Sequence, residues 1–484
     1  MPLPDRSTPA DLTRWRWLGF AGAVLLAVGA TGAGVLPRPD DLGALPVVRT
    51  LRTDTGVTVC VVLALLGMVL LVGAWTRVTA ASPRWITLTA ALWSAPLVLA
   101  PPLFSRDVYS YAAQGDLLAH GLDPYADGPA ALPSQWLNSI SPTWYDTPAP
   151  YGPLFLQLAR FAVGLAGGHL PVAILLLRLV ALAGVVLVAA YLPRLARSCG
   201  VEPGHALWLG LASPLVLAHF VSGAHNDALM IGLLVAGLAY AAERRGFAAA
   251  ALLALAIAVK APAAVALPFA VLLWSARWPG RWGVAQAALR TALVAAATFI
   301  AVTVVTGLGF GWVSAALNTP GASVQWTSLP TGLGIAGGWI ADATGNPGAV
   351  ETCVAVARTA GTLATAAILV VLGIRAWRRA GDVRFVVASC GWALLAVVVL
   401  APAFHPWYLL WAVVPLAAST TDGRIRTALA VASAALCFLV MPDGYNLARA
   451  TAVPGALLDV AVVIGLGVLA ARRFRDRRPE PVDA

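Results

Sequence analysis

The stretch SRDVYSYAAQGDLLAHGLDPYADG sets Asp107 directly after an apolar run, and Tyr109, Tyr111, Asp116, Asp123 and Asp127 follow among turn-forming prolines and glycines. A carboxylate at the edge of an apolar segment has the chemistry of a general base acting on a substrate held at a membrane surface. The same residues also suit a structural role, with Ser105 or Asp107 as the N-cap of a surface helix, and spacing alone favours the cap. Two more polar groups occupy similar boundaries. HFVSGAHNDALM brings His219, His225, Asn226 and Asp227 together, and AFHPWYLLW carries His405 and Trp407. Each alone is an ordinary interfacial anchor or helix cap. Their collection at one level is the stronger signal.

The cations are as selective. Arg178 and Arg358 fall inside apolar segments, about 12 Å or less from the segment end at 1.5 Å per residue. A charge near mid-membrane costs roughly 2.5–3.5 kcal/mol, so each needs a carboxylate such as Asp227 or Glu351, a cavity, or a ligand phosphate. Lys260, in AVKAPAAVALP, is the one lysine of the chain, and serves either as a snorkelling cap or as a point charge on phosphate. Glycine-rich phosphate loops, HExxH, CxxC and serine elbows are missing. Asp123 and Asp127 could share a divalent cation, but two carboxylates in a Pro/Gly loop are thin grounds. The expectation is no cofactor and no metal site.

The elements that must position these residues are membrane helices. Of 484 residues 60% are hydrophobic and 11% charged, against roughly 25% charged in soluble domains. The net charge of +10 is dispersed singly or in pairs between apolar segments, which excludes a nucleic-acid face. Fourteen apolar segments are expected to span: 17–36, 55–76, 86–103, 170–192, 205–221, 226–242, 246–260, 262–276, 286–309, 351–375, 384–401, 405–420, 426–442 and 452–472. With a cytoplasmic N-terminus, 22 arginines fall on the inner side and six cations on the outer, as the positive-inside rule requires. That count makes 153–167 an amphipathic surface helix, with Gln157 and Arg160 on its polar side, because a crossing there would invert every later loop. Two long loops then face outward, 104–169 as the catalytic loop and 310–350 as a second one, while 473–484 forms a cytoplasmic tail. Cys60, Cys199, Cys353, Cys390 and Cys437 show no disulfide or zinc spacing, and the whole chain reads as a single membrane domain.

The motifs SRDVYSYAAQG, GLDPY, YGPLFLQLAR, GAHNDALMIGLLVAG, AIAVKAPAAVALPF and FHPWYLLWAVVPLA resemble the actinobacterial polyprenol-phosphomannose-dependent α-1,6-mannosyltransferases of the MptA/MptB type, over about residues 86–470. The resemblance implies an all-α polytopic GT-C glycosyltransferase fold at the plasma membrane, both termini cytoplasmic and the active site on the outer, periplasmic face. It also implies an inverting transfer of mannose from polyprenyl phosphomannose to an α-1,6-mannan acceptor in lipomannan and lipoarabinomannan synthesis. Asp107 matches the family's acidic residue and is the expected base. Lys260, Arg178 and Arg358 are the candidates for donor phosphate, and Tyr109, Asp116, His225, Asn226, Asp227, His405 and Trp407 for sugar or acceptor. The rival readings are a protein O-mannosyl or arabinofuranosyl transferase on the same fold, and a transporter or flippase. Transporters, however, favour internal repeats and midplane sites.

Overall fold

The computed structural model of the protein describes residues 9–36, 41–79, 81–278 and 282–475. Among them the chain is helical, without a strand and with one isolated bridge between Val440 and Asn446. Helices α1 (Pro9–Ala33), α2 (Asp54–Trp75) and α3 (Pro83–Leu99) lead into α4 (Asp107–Ala119) and α5 (Pro153–Ala166). Next come α6 (Leu170–Ser198), α7 (Pro203–Gly210), α8 (Pro214–Ser222), α9 (Asp227–Ala242), α10 (Gly246–Val259) and α11 (Ala261–Ser275). The last are α12 (Trp282–Thr306), α13 (Gly311–Asn318), α14 (Leu329–Ala343), α15 (Val350–Arg378), α16 (Val383–Leu400), α17 (Pro406–Ser419), α18 (Gly423–Leu436) and α19 (Ala452–Arg475). Of the expected tail 473–484, residues 476–484 lie outside the described residues, as do Arg6, Arg38 and Arg281.

Helices occupy all fourteen expected segments, but seven of them are long and apolar enough to cross a membrane, or eight if α7 and α8, bent by 43°, count as one span. This makes the protein a polytopic membrane protein without establishing fourteen crossings. The other expected spans fall on α3, α9, α10, α11, α17 and α18, none longer than 17 residues, which is roughly 26 Å or less against a hydrocarbon core of about 30 Å. For α9 and α17 this brevity has a packing reason. Helices α8, α9 and α17 are buried along almost their whole length, so protein rather than lipid surrounds them.

Small residues set the closest approaches. Gly184 of α6 lies against the backbone of Ala228 in α9, and Gly232 of α9 lies against the backbone of Gly184; Ala228 and Gly232 form a small-xxx-small pair that admits a neighbouring helix. Helix α5 is 14 residues long, about 21 Å, and does not reach across a bilayer. It buries Phe155, Leu156, Ala159, Ala162 and Val163, and exposes Arg160 together with Phe161 and Leu165, a mixed face suited to an interface. Helices α4 and α5 pack on each other and on α6, at the end of the bundle where α3, α8, α10 and α16 finish and α9, α11 and α17 begin.

Candidate active site

Asp107 is the first helical residue of α4, and Ser105 takes the capping part: its hydroxyl accepts the Asp107 backbone N–H at 3.1 Å. The Asp107 carboxylate is thereby left for other work, and its side chain is one-fifth exposed. It faces two cavities. The wider, about 640 Å³, is walled by residues 104–107, 138–145, 323–325 and 440–449 together with His405 and Trp407. The narrower, about 340 Å³, runs from Asp107, Ser110 and Gln114 to Tyr151, Lys260, Tyr408 and Trp411. Asp107, Trp144, Ser323 and His405 belong to both walls, so the cavities meet at the carboxylate. Burial raises the Asp107 pKa to about 6, Lys260 draws it down, Asp227 raises it again, and the Ser105 hydrogen bond lowers it.

Lys260 and Asp227 form a buried pair. The ammonium donates to both carboxylate oxygens at 2.9 Å, and the Trp411 indole N–H donates to Asp227 Oδ1 at 2.7 Å. The rings of Tyr408, Trp411 and Tyr151 surround the ammonium at 4.7, 5.4 and 5.6 Å. Two contacts place Tyr151 there. Gly152 donates its N–H to Val259 O at 3.0 Å, and a Cβ at Gly152 would strike the backbone of Ala258.

His225 is fully buried, with Nδ1 3.4 Å from the Tyr111 hydroxyl and 3.5 Å from Asp107 Oδ2, and its ring stacks on Trp407 at 3.9 Å. Trp407 also stacks with His405, at 4.7 Å. Burial, reinforced by nearby cationic and imidazole groups, holds His225 well below the usual histidine range and His405 at about 4, so both rings are neutral at pH 7. The backbone behind them is unusual: Leu217–Ser222 is wound as a π-helix and Ala224 adopts a left-handed φ of 53°. The side-chain amide of Asn226 and Nε2 of His225 have no hydrogen-bond partner among the described residues.

Several expected residues lie elsewhere. Tyr109 donates its hydroxyl to Val35 O at 2.6 Å, tying α4 to the end of α1. Asp116 sits 3.4 Å from His120 at the far end of α4, its pKa raised by burial. Both stand apart from the cavities because, at about 100° per residue, positions 109 and 116 point opposite to 107, while 110, 111 and 114 share its face. Arg178 meets neither Asp227 nor either of these two cavities; it donates to Val98 O at 2.6 Å and Ser222 O at 2.9 Å, carbonyls at the ends of α3 and α8. Arg358 is likewise turned away from both cavities. It donates to Thr331 Oγ1 at 2.9 Å and to the carbonyls of Gly321 and Ser323, bracing the segment after α13. Asp123 accepts the Tyr125 N–H in a local turn, and among the described residues no three His, Cys, Asp or Glu side chains gather as a metal-binding group.

The geometry adds residues that the motifs did not single out: Ser110, Gln114, Trp144, Tyr151, Tyr408 and Trp411 in the narrow cavity, and Arg106, Asp443, Gln325, Asn446 and Arg449 in the wide one. Arg106 pairs with Asp443, and the Asn446 amide donates to Gln325 at 2.9 Å, so the wide cavity is closed by segments distant in sequence.

Residues 16–276 match a family described as alpha-(1->6)-mannopyranosyltransferase, N-terminal domain, and residues 330–470 match the MptB C-terminal domain. The alpha-(1->6)-mannopyranosyltransferase A of Mycobacterium tuberculosis is 38% identical over 443 residues, which cover 88% of this chain and 84% of the relative. The alpha-(1->6)-mannopyranosyltransferase B of Corynebacterium glutamicum is 31% identical over 517 residues, covering 96% and 84%. A carboxylate where two cavities meet, inside a helical membrane protein with these relatives, makes the chain a glycosyltransferase that belongs to the alpha-(1->6)-mannopyranosyltransferase family.

Proposed function

We propose that the protein is an inverting mannosyltransferase that takes mannose from polyprenyl phosphomannose and adds it to the 6-hydroxyl of an α-1,6-mannan, in the assembly of lipomannan and lipoarabinomannan. The observation that carries this reading is the meeting of two chemically different cavities at Asp107. The narrow one, rich in proline, alanine and aromatic side chains, suits a lipid-linked donor, with Lys260 beside the phosphate. The wide one, with planar polar groups and the rings of Trp144, Tyr145, Trp407 and Tyr445, suits a glycan.

In the reaction, Asp107 takes the proton of the acceptor hydroxyl as its oxygen attacks the anomeric carbon; the bond from that carbon to the phosphate oxygen breaks and the polyprenyl phosphate departs. A β-linked donor gives an α-linked product in that single displacement. Lys260, held in place by Asp227, offsets charge on the leaving phosphate. The site lies on the outer face of the plasma membrane, where the cation-poor loops 104–169 and 310–350 are expected.

The test incubates membranes containing the protein with radiolabelled polyprenyl phosphomannose and a short α-1,6-mannoside. Label should enter a lengthened mannoside sensitive to an α-1,6-specific mannosidase; label transferred from a nucleotide sugar instead would reject the donor.

A further inference from the structure

We propose that Ser110 and Gln114 read the hydroxyl groups of the sugar carried by the donor, which deepens the donor reading above and rests on it. The two residues follow Asp107 at the i+3 and i+7 positions of α4, so the three share one helix face, and all three line the narrow cavity. Side chains on a helix lean toward its N-terminus, which brings the long Gln114 amide back toward Asp107.

Both residues are 3% exposed, yet Ser110 Oγ and Gln114 Oε1 have no hydrogen-bond partner among the described residues. Buried polar atoms are nearly always satisfied, and both residues belong to the wall of the narrow cavity. The partner of Gln114 Oε1 must donate, and the Ser110 hydroxyl can take a partner of either kind. An ionised phosphate only accepts, and it would meet the Asp107 carboxylate on the same face; a prenyl chain neither donates nor accepts. A hexose ring supplies neutral hydroxyls that donate and accept, together with an apolar C–H surface for the ring of Tyr151. The cavity thus divides into a sugar end along the Asp107–Ser110–Gln114 stripe and a phosphate end at Lys260.

The experiment uses the full chain in lipid nanodiscs with Gln114→Met, which keeps the volume and removes the hydrogen-bonding group, and with Ser110→Ala. Binding is measured for polyprenyl phosphomannose, polyprenyl phosphoglucose and sugar-free polyprenyl phosphate, and transfer is measured for the two sugar donors. Each substitution should weaken phosphomannose binding about tenfold and erode the preference for mannose over glucose. Affinity for polyprenyl phosphate and the unfolding temperature should stay at the unsubstituted values. If both variants keep full affinity and preference while folded, or if they lose sugar-free polyprenyl phosphate to the same extent, the assignment is overturned. Failure of the unsubstituted protein to transfer mannose would reject the proposed reaction instead, since the binding comparison still reports on Ser110 and Gln114.

Discussion

At the scale of residues, the arrangement asks Asp107 to be ionised in a place that resists ionisation. Its pKa of about 6 lies above the roughly 3.9 of a free aspartate, so its contribution to stability is full below about pH 3.9 and is lost as pH rises through about 6. A base must be ionised to act, so transfer should rise between pH 5 and 7 with an inflection near pH 6. Asp107→Asn leaves the Ser105 cap intact and should cut the rate by about 10²–10⁴. The same variant should unfold at a higher temperature than the unsubstituted protein at pH 7.5, by on the order of 2 kcal/mol, and the gain should fade toward pH 4. Near-normal turnover in it would remove Asp107 as base. Lys260→Met alone strands the Asp227 carboxylate in the core and should cost about 3–5 kcal/mol. In Lys260→Met with Asp227→Asn the fold should recover, because the Trp411 N–H keeps an amide oxygen to bond, while the donor KM stays raised. Recovery of donor binding as well would move the phosphate elsewhere. The sequence disclosed Asp107, Lys260, Asp227, His225, His405 and Trp407 because each stands at the edge of an apolar run. Tyr109 and Asp116 share the loop but not the helix face, a distinction carried by the period of α4 rather than by proximity to Asp107.

At the scale of elements, the polar cluster hangs on a short stretch of irregular backbone. The π-helix at Leu217–Ser222 and the left-handed Ala224 turn the chain so that His225 reaches Asp107 and Tyr111. Arg178 ties that stretch to the end of α3 by bonding the carbonyls of Val98 and Ser222. We therefore expect Arg178→Met to lower stability by about 3 kcal/mol, as two buried carbonyls lose a charged donor, with donor KM unchanged in the folded fraction. Thermal unfolding and donor kinetics on one preparation separate this from a phosphate site, which would raise KM and leave stability near normal. Hydropathy made the helices legible one by one. Neither the π-helix nor the carbonyl partners of Arg178 and Arg358 could be read the same way, since backbone geometry and long-range acceptors leave no mark in local composition.

At the scale of the whole molecule, the ends of the bundle differ in charge. Arg194 pairs with Glu243 at the end remote from Asp107, where Arg197, Arg244, Arg245, Arg375, Arg378, Arg379, Arg384, Arg424 and Arg426 also cluster. Hydropathy marks where apolar helices lie but not which of them meet lipid. Buried helices such as α9 and α17 are apolar because protein surrounds them, which is why a count of crossings does not follow from the same signal. The charge asymmetry is independent of that count, and it predicts that the Asp107 end faces outward. The native thiols allow a clean test: Cys60, Cys199, Cys390 and Cys437 are buried and Cys353 is half-buried, so replacing Cys353 by Ala leaves little background. In that background Ala131→Cys, near the wide cavity, and Gly381→Cys, between α15 and α16, sit at exposed positions on opposite ends. A membrane-impermeant thiol reagent applied to intact cells should label position 131 and spare position 381 until the membrane is opened. The reverse pattern would put the Asp107 end in the cytoplasm, where the acceptor would have to be a cytoplasmic glycan, and would overturn the outward orientation together with the proposed place of the reaction.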